Sequence, residues 1–226
     1  MQLCKQAGNA TFSIIPVSKE HALPDYAVFI LRFCLFAAAH SLFASQRVKQ
    51  RLTGWSTGEP RSYRLTYNLA SVVLFAWVMA AYRNSAVLYF VPGVWSLVMY
   101  LLQFIILGIL TSCVCQTGAA DFLGLKRRGS GPSSSPRLET GGWYGVVRHP
   151  LYLFSILFLI LNPVMTARWL LLAILSTLYF VAGALIEERR LAGQFGDEYR
   201  RYRERVPFLL PRPGRLSRPP SRMPRS

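Results

Sequence analysis

Two short runs carry the chemistry of this chain: Arg148-His149-Pro150 and Glu187-Glu188. Arginine is a permanent cation whose planar fork matches a carboxylate. Histidine donates, accepts or takes up a proton near neutral pH. Glutamates accept hydrogen bonds, and so can hold an ammonium group or ribose hydroxyls. Tyr144 and Tyr152 flank the basic pair and offer ring faces to a purine or a sulfonium. Pro150 suits a helix start, where its missing N–H is no loss. A zwitterionic, cationic nucleoside matches such a set. Each residue also has a plainer reading. Arg148 can be a charge that anchors a membrane boundary. Glu187 and Glu188 can cap a helix or pair with Arg189, Arg190 or Arg148. The tyrosines can belong to an interfacial aromatic belt.

The two runs can act together only if the chain folds back between them. The 226 residues are 52% hydrophobic and 16% charged, too apolar for a soluble domain of this size. A net charge of +16 would by itself suggest nucleic acid. The long apolar runs between the charges argue instead for a membrane protein with basic loops, and no nucleic-acid partner is expected. Five segments are expected to cross the bilayer: Tyr26 to Ser45, Leu65 to Tyr82, Val87 to Thr111, Pro150 to Ala167 and Trp169 to Ile186. The fold class is therefore all-α, a polytopic transmembrane helical bundle of about five spans. The last two spans form a hairpin that turns at Asn162-Pro163 to Arg168. A hairpin returns Arg148 and Glu187-Glu188 to one membrane face, where clustered ionisable groups point to a site.

Orientation follows from Lys and Arg. With the N-terminus outside and the C-terminus cytoplasmic, the inside holds 21 of these residues and the outside four: Lys5, Lys19, Arg83 and Arg168. Arg32 falls within the first span and must face protein or snorkel. Four regions follow: 1–125 with three spans, a flexible loop at 126–142, the hairpin and C-terminal motif at 143–211, and a disordered basic tail at 212–226. No signal peptide is read at the N-terminus. Cys4, Cys34, Cys113 and Cys115 form no CxxC pair, and histidine is scarce, so no metal site is expected.

The stretch Leu138-x-Thr140-x-Gly142-x-Tyr144-x-x-Val147-Arg148-His149-Pro150-x-Tyr152 resembles the signature of the isoprenylcysteine carboxyl methyltransferase superfamily. A second stretch is similar as well: Glu187-Glu188-x-x-Leu191-x-x-x-Phe195-Gly196-x-x-Tyr199-x-x-Tyr202-x-x-x-Val206-Pro207. Closed by Leu209-Leu210-Pro211, the two together span residues 138–211. That superfamily also holds phospholipid methyltransferases, thiol methyltransferases and NnrU-like proteins. In the N-terminal half, His40-Ser41-Leu42 and Tyr63-Arg64-x-x-Tyr67-Asn68 look loosely like the thiol-methylating and NnrU-like members. Two positions depart from the pattern: Phe154 stands where glycine is common, and Phe208 where arginine is common.

The resemblance implies an integral-membrane methyltransferase that uses S-adenosylmethionine and acts on a small or lipid-soluble nucleophile, a thiol, carboxylate or amine. It places Tyr144, Arg148, His149, Pro150, Tyr152, Glu187, Glu188, Tyr199 and Tyr202 around the cofactor, with Arg148 and His149 in catalysis. His40, Tyr67 and Asn68 would lie on the substrate side, with the substrate entering from the bilayer. Leu191, Phe195, Tyr199, Tyr202 and Val206 recur at helical spacing and predict one amphipathic helix on the membrane surface. Two other readings stay open: a sterol-type membrane reductase using NADPH, and a non-enzymatic accessory protein.

Overall fold

The structure is a computed structural model that describes residues 22–53, 61–82, 85–118 and 138–211. Most of the expected loop at 126–142, and all of the tail at 212–226, lie outside the described residues. The elements run in the order α1 (Ala22–Ala44), α2 (Gln46–Thr53), α3 (Arg61–Met79), β1 (Val87–Phe90), α4 (Val94–Gln116), a 3-10 turn (Gly142–Gly145), α5 (Pro150–Ile160), β2 (Val164–Thr166), α6 (Ala167–Phe195) and α7 (Asp197–Arg205). Helix α1 packs on α3 and α6, α4 on α5, and α5 on α6.

Three helices are long and apolar enough to cross a membrane: Leu23–Ala44 of α1, α4 and α6. The chain is an integral membrane protein, and its lipid-facing leucines, valines and phenylalanines are correspondingly exposed. The other two expected spans differ. Helix α3 has 19 residues and begins on a polar turn with Arg61 and Arg64. Helix α5 has 11 residues, about 16 Å, roughly half of the hydrocarbon thickness. Asn162-Pro163 and β2 follow it before α6 begins.

A helix C-terminus leaves carbonyls without intrahelical donors. Three side chains meet this need. Gln103 Nε2 donates to Phe158 O at 2.9 Å, and Trp169 Nε1 to Leu159 O at 2.8 Å. Tyr89 Oη donates to Asn162 O at 3.1 Å. The expected Asn-Pro turn is also strapped by an antiparallel ladder of β1 and β2, in the register Val87 with Thr166 and Phe90 with Val164. The fold is mostly helical, as expected, with this two-stranded ribbon added to it. Its residues, Val, Leu, Tyr and Phe, are β-formers as much as they are apolar.

Thr166 caps α6 by accepting from Trp169 N at 3.1 Å, so Ala167 and Arg168 are already helical. Arg168, expected at the outer turn of the hairpin, is 2% exposed. It donates from Nη1 to Ala81 O at 2.7 Å, pairs through Nη2 with Asp25 at 3.4 Å, and lies over the Tyr26 ring. Phe29, Phe33, Val78, Ala81 and Leu172 form the core beside it. Arg32 donates to Trp77 O at 3.0 Å and stacks on that ring, so it faces protein.

The single amphipathic helix expected over 191–206 is two helices. Gly196 has φ +51° and ψ −120°, a region that only glycine enters easily, and it separates α6 from α7. The break lets α7 fold back, so that Tyr199, Tyr202 and Val206 cluster with Leu138, Leu191, Ala192 and Phe195.

Candidate functional site

Glu188 lies on α6 about 30 Å along the helix from Arg168, close to the thickness of a bilayer's hydrocarbon core. Buried charge thus sits at both ends of the bundle, and the Glu188 end is the one with the sequence signature. The 3-10 turn and the N-terminus of α5 deliver Arg148 and His149 to it. Arg148 Nε is 2.9 Å from Glu188 Oε1 and Nη2 is 3.1 Å from Oε2, a two-point pair with each side chain only 10% exposed. His149 Nε2 lies 2.9 Å from the same Oε1 and donates to it, because a carboxylate only accepts. Tyr199 Oη donates to Oε1 at 2.6 Å. Arg203 Nε stands 3.4 Å from Oε2.

Arg148 also clasps the C-terminal segment. Its Nη1 donates to Val206 O at 2.8 Å and to Arg203 O at 3.2 Å, and its backbone N donates to Pro207 O at 2.9 Å. Tyr202 Oη donates to Tyr144 O at 2.6 Å. Four side chains therefore converge on the Glu188 carboxylate. The cleft beside it, about 410 Å³, is lined by Arg148, Leu185, Glu188, Arg189, Ala192, Arg203 and Phe208.

Burial pushes the phenols of Tyr144, Tyr199 and Tyr202 well above their usual range. The hydrogen bond to Glu188 adds to this at Tyr199. All three stay protonated at neutral pH, and Tyr199 and Tyr202 act as donors.

The two glutamates differ. Glu188 is saturated by donors from its own chain. Glu187 is a third exposed and more lightly held: Tyr152 Oη donates to its Oε2 at 3.2 Å, with His149 Nδ1 at 3.7 Å and Arg190 at 3.6 Å. Tyr152 stacks between His149 and Phe180, with ring centroids 5.6 Å from each. Pro150 is buried as the first residue of α5.

The structure thus gathers Tyr144, Arg148, His149, Pro150, Tyr152, Glu187, Glu188, Tyr199 and Tyr202 at one end. It also brings His40 and Tyr67 together, in a separate cluster between α1 and α3, with Tyr67 Oη 2.8 Å from His40 Nε2. Asn68 is half-buried on α3. Sequence reasoning missed the other side of the cleft: Leu185, Arg189 and Ala192. They recur at four and three residues on α6, a face that spacing alone could have marked. The two departures from the signature also have places. Phe154 packs edge-on against Trp143, and Phe208 packs edge-on against His149 and beneath the Arg148 guanidinium.

Fold and cleft together define a helical integral-membrane protein with a ligand-sized site at one end of its bundle. The chain belongs to the NnrU protein family, whose sequence model matches residues 28–205, in keeping with the isoprenylcysteine carboxyl methyltransferase-like superfamily. It is 34% identical over 200 residues to the methanethiol S-methyltransferase of Pseudomonas deceptionensis, covering 81% of this chain and 72% of that protein. Against the methanethiol S-methyltransferase of Mycobacterium tuberculosis the identity is 29% over 214 residues, covering 89% and 86%. Methanethiol S-methyltransferase 1 of Bradyrhizobium diazoefficiens is 47% identical over 79 residues, which span 35% of this chain and 28% of that protein. No solved structure matches the chain.

Proposed function

We propose that this chain is an S-adenosylmethionine-dependent methyltransferase whose acceptor is a small thiol. The observation that carries the reading is a cleft of about 410 Å³ between α6, α7 and the Arg148 and Phe208 segments, beside the Arg148–Glu188 pair. Its lining fits the cofactor's parts. Arg189 and Arg203 offer cations to a carboxylate, Phe208 a ring face to a purine, and Leu185 and Ala192 an apolar floor. Glu187 stands outside this lining, against Tyr152 and His149. When bound, the cofactor supplies an electrophilic methyl group on a sulfonium sulfur.

The protein's own contribution is alignment and exclusion of water. The Arg148–Glu188–Tyr199 lock holds α7 across the opening. Tyr152, His149 and Phe180 form a stacked wall on the bilayer side. The thiol assignment is supported by the names of the relatives, all methanethiol S-methyltransferases over most or part of their length. The excess of Lys and Arg around this end supports its facing the cytoplasm.

Calorimetry of the purified protein in detergent tests the cofactor. S-adenosylmethionine should bind, NADPH should not, and Arg189→Ala, in the cleft lining, should weaken binding. Incubation with methyl-labelled donor and methanethiol should release labelled dimethyl sulfide. NADPH binding in place of S-adenosylmethionine would overturn the reading in favour of a reductase, and cofactor binding without turnover on any thiol in favour of an accessory role.

A further inference from the structure

The cleft beside Glu188 carries more positive charge than its one carboxylate balances. Arg148, Arg189 and Arg203 line it against Glu188 alone. The Arg148 guanidinium is committed to Glu188 and to the carbonyls of Arg203 and Val206. Arg203 is half exposed, and its Nε stands 3.4 Å from Glu188 Oε2. Arg189 is exposed and has no ion pair among the described residues. Two guanidiniums thus meet the cleft with donors to spare, a pair suited to an oxyanion such as a phosphate diester.

The cleft also opens toward the bilayer along one wall. Leu185 belongs both to its lining and to the exposed surface of α6. Ile174, Leu178 and Leu185 are 48%, 63% and 50% exposed. Steps of four and seven residues set these three on one face of the helix. Arg189 stands about one turn beyond Leu185 on the same side, roughly 22 Å along the axis from Ile174. That track is longer than one leaflet's share of the hydrocarbon, about 15 Å. An exposed apolar face on a membrane helix is by itself ordinary lipid contact. Here the face runs without a barrier into a cleft with surplus cations.

We propose that the cleft binds an acidic phospholipid, with its phosphate between Arg189 and Arg203 and an acyl chain along Leu185, Leu178 and Ile174. The lipid phosphate and the carboxylate of the methyl donor take the same guanidiniums. The lipid therefore competes with the donor, and the acidity of the membrane regulates the site. The lipid site stands on its own, whereas the competition rests on the methyltransferase reading above. The sign of the effect is distinctive. S-adenosylmethionine carries a net positive charge, so an acidic bilayer surface by itself concentrates it and strengthens its apparent binding. Competition in the cleft weakens that binding.

Native mass spectrometry of the full chain, released from mixed micelles with equal phosphatidylglycerol and phosphatidylcholine, reads the site directly. Phosphatidylglycerol should be retained and phosphatidylcholine lost. S-adenosylmethionine should displace the retained lipid, and glycerophosphoglycerol, the same headgroup without chains, should not at equal concentration. Arg189→Gln should abolish retention, and so should Arg203→Gln, which covers the case of one variant folding poorly. Arg47→Gln combined with Arg51→Gln removes two exposed cations of α2 and should keep it. In phosphatidylcholine nanodiscs, added phosphatidylglycerol should weaken S-adenosylmethionine binding about 3-fold or more. Equal retention of both lipids, equal loss in the α2 variant, displacement by the chain-free headgroup, or tighter S-adenosylmethionine binding in the acidic discs would each overturn the proposal. Selective retention of phosphatidylglycerol with no S-adenosylmethionine binding in any bilayer would support the lipid site and bring down the methyltransferase reading.

Discussion

Arg148 and Glu188 stand forty residues apart and share a two-point ion pair, Nε to Oε1 at 2.9 Å and Nη2 to Oε2 at 3.1 Å. Each is 10% exposed, so removing either partner strands a buried charge. Glu188→Gln or Arg148→Met should cost about 3–5 kcal/mol of stability. Thermal unfolding in detergent measures this. Exchange of the backbone amides of residues 203–207 should rise in Arg148→Met, because the guanidinium holds the carbonyls of Arg203 and Val206.

Glu187 should behave differently from its neighbour. It is a third exposed and its strongest bond is one phenol at 3.2 Å. Glu187→Gln should leave the melting temperature nearly unchanged, whereas Arg189→Ala, in the cleft lining, should weaken S-adenosylmethionine binding about 10-fold or more, the loss of one charged hydrogen bond. Calorimetry beside a melting curve separates the two effects.

Tyr199 and Tyr202 should rank by their acceptors. Tyr199→Phe removes a bond to a carboxylate and should cost about 1.5–3 kcal/mol, whereas Tyr202→Phe removes one to the neutral Tyr144 carbonyl and should cost about 1 kcal/mol. Both phenols are held above their unfolded range, chiefly by burial. Their contribution is therefore complete below the ordinary phenol range and is lost as pH rises through the higher folded-state values. Ultraviolet titration should show both ionising late, together with loss of α7 packing.

Arg168 and Asp25 form an unequal pair, 2% and 40% exposed. Asp25→Asn leaves a buried cation without its counter-ion. Arg168→Met lets Asp25 return to water and replaces the cation with an apolar chain. Asp25→Asn should therefore be the more destabilising of the two, a ranking that melting curves check directly.

Gly196→Ala tests the break between α6 and α7. No atom lies within 4 Å of the added Cβ, so the effect is one of backbone alone. At φ +51° and ψ −120° alanine should cost about 1–3 kcal/mol. Should it stabilise instead, α6 and α7 would be one continuous helix.

The sequence by itself determined that this is a membrane protein and that residues near 148 and 187 meet. Apolar run length identifies helices that need lipid, and a hairpin must return to the face it left. It did not determine how the crossings are built. An apolar run reads alike as strand or as buried helix, and only tertiary pairing made Val87–Phe90 and Val164–Thr166 a ribbon and stopped α5 at Ile160. Arg168 looked like any loop cation because burial is invisible in composition. Glu187 and Glu188 are chemically identical, and only the convergence of Arg148, His149 and Tyr199 on one of them set their roles apart. Such choices rest on distances between residues remote in the chain, which are set when the helices pack.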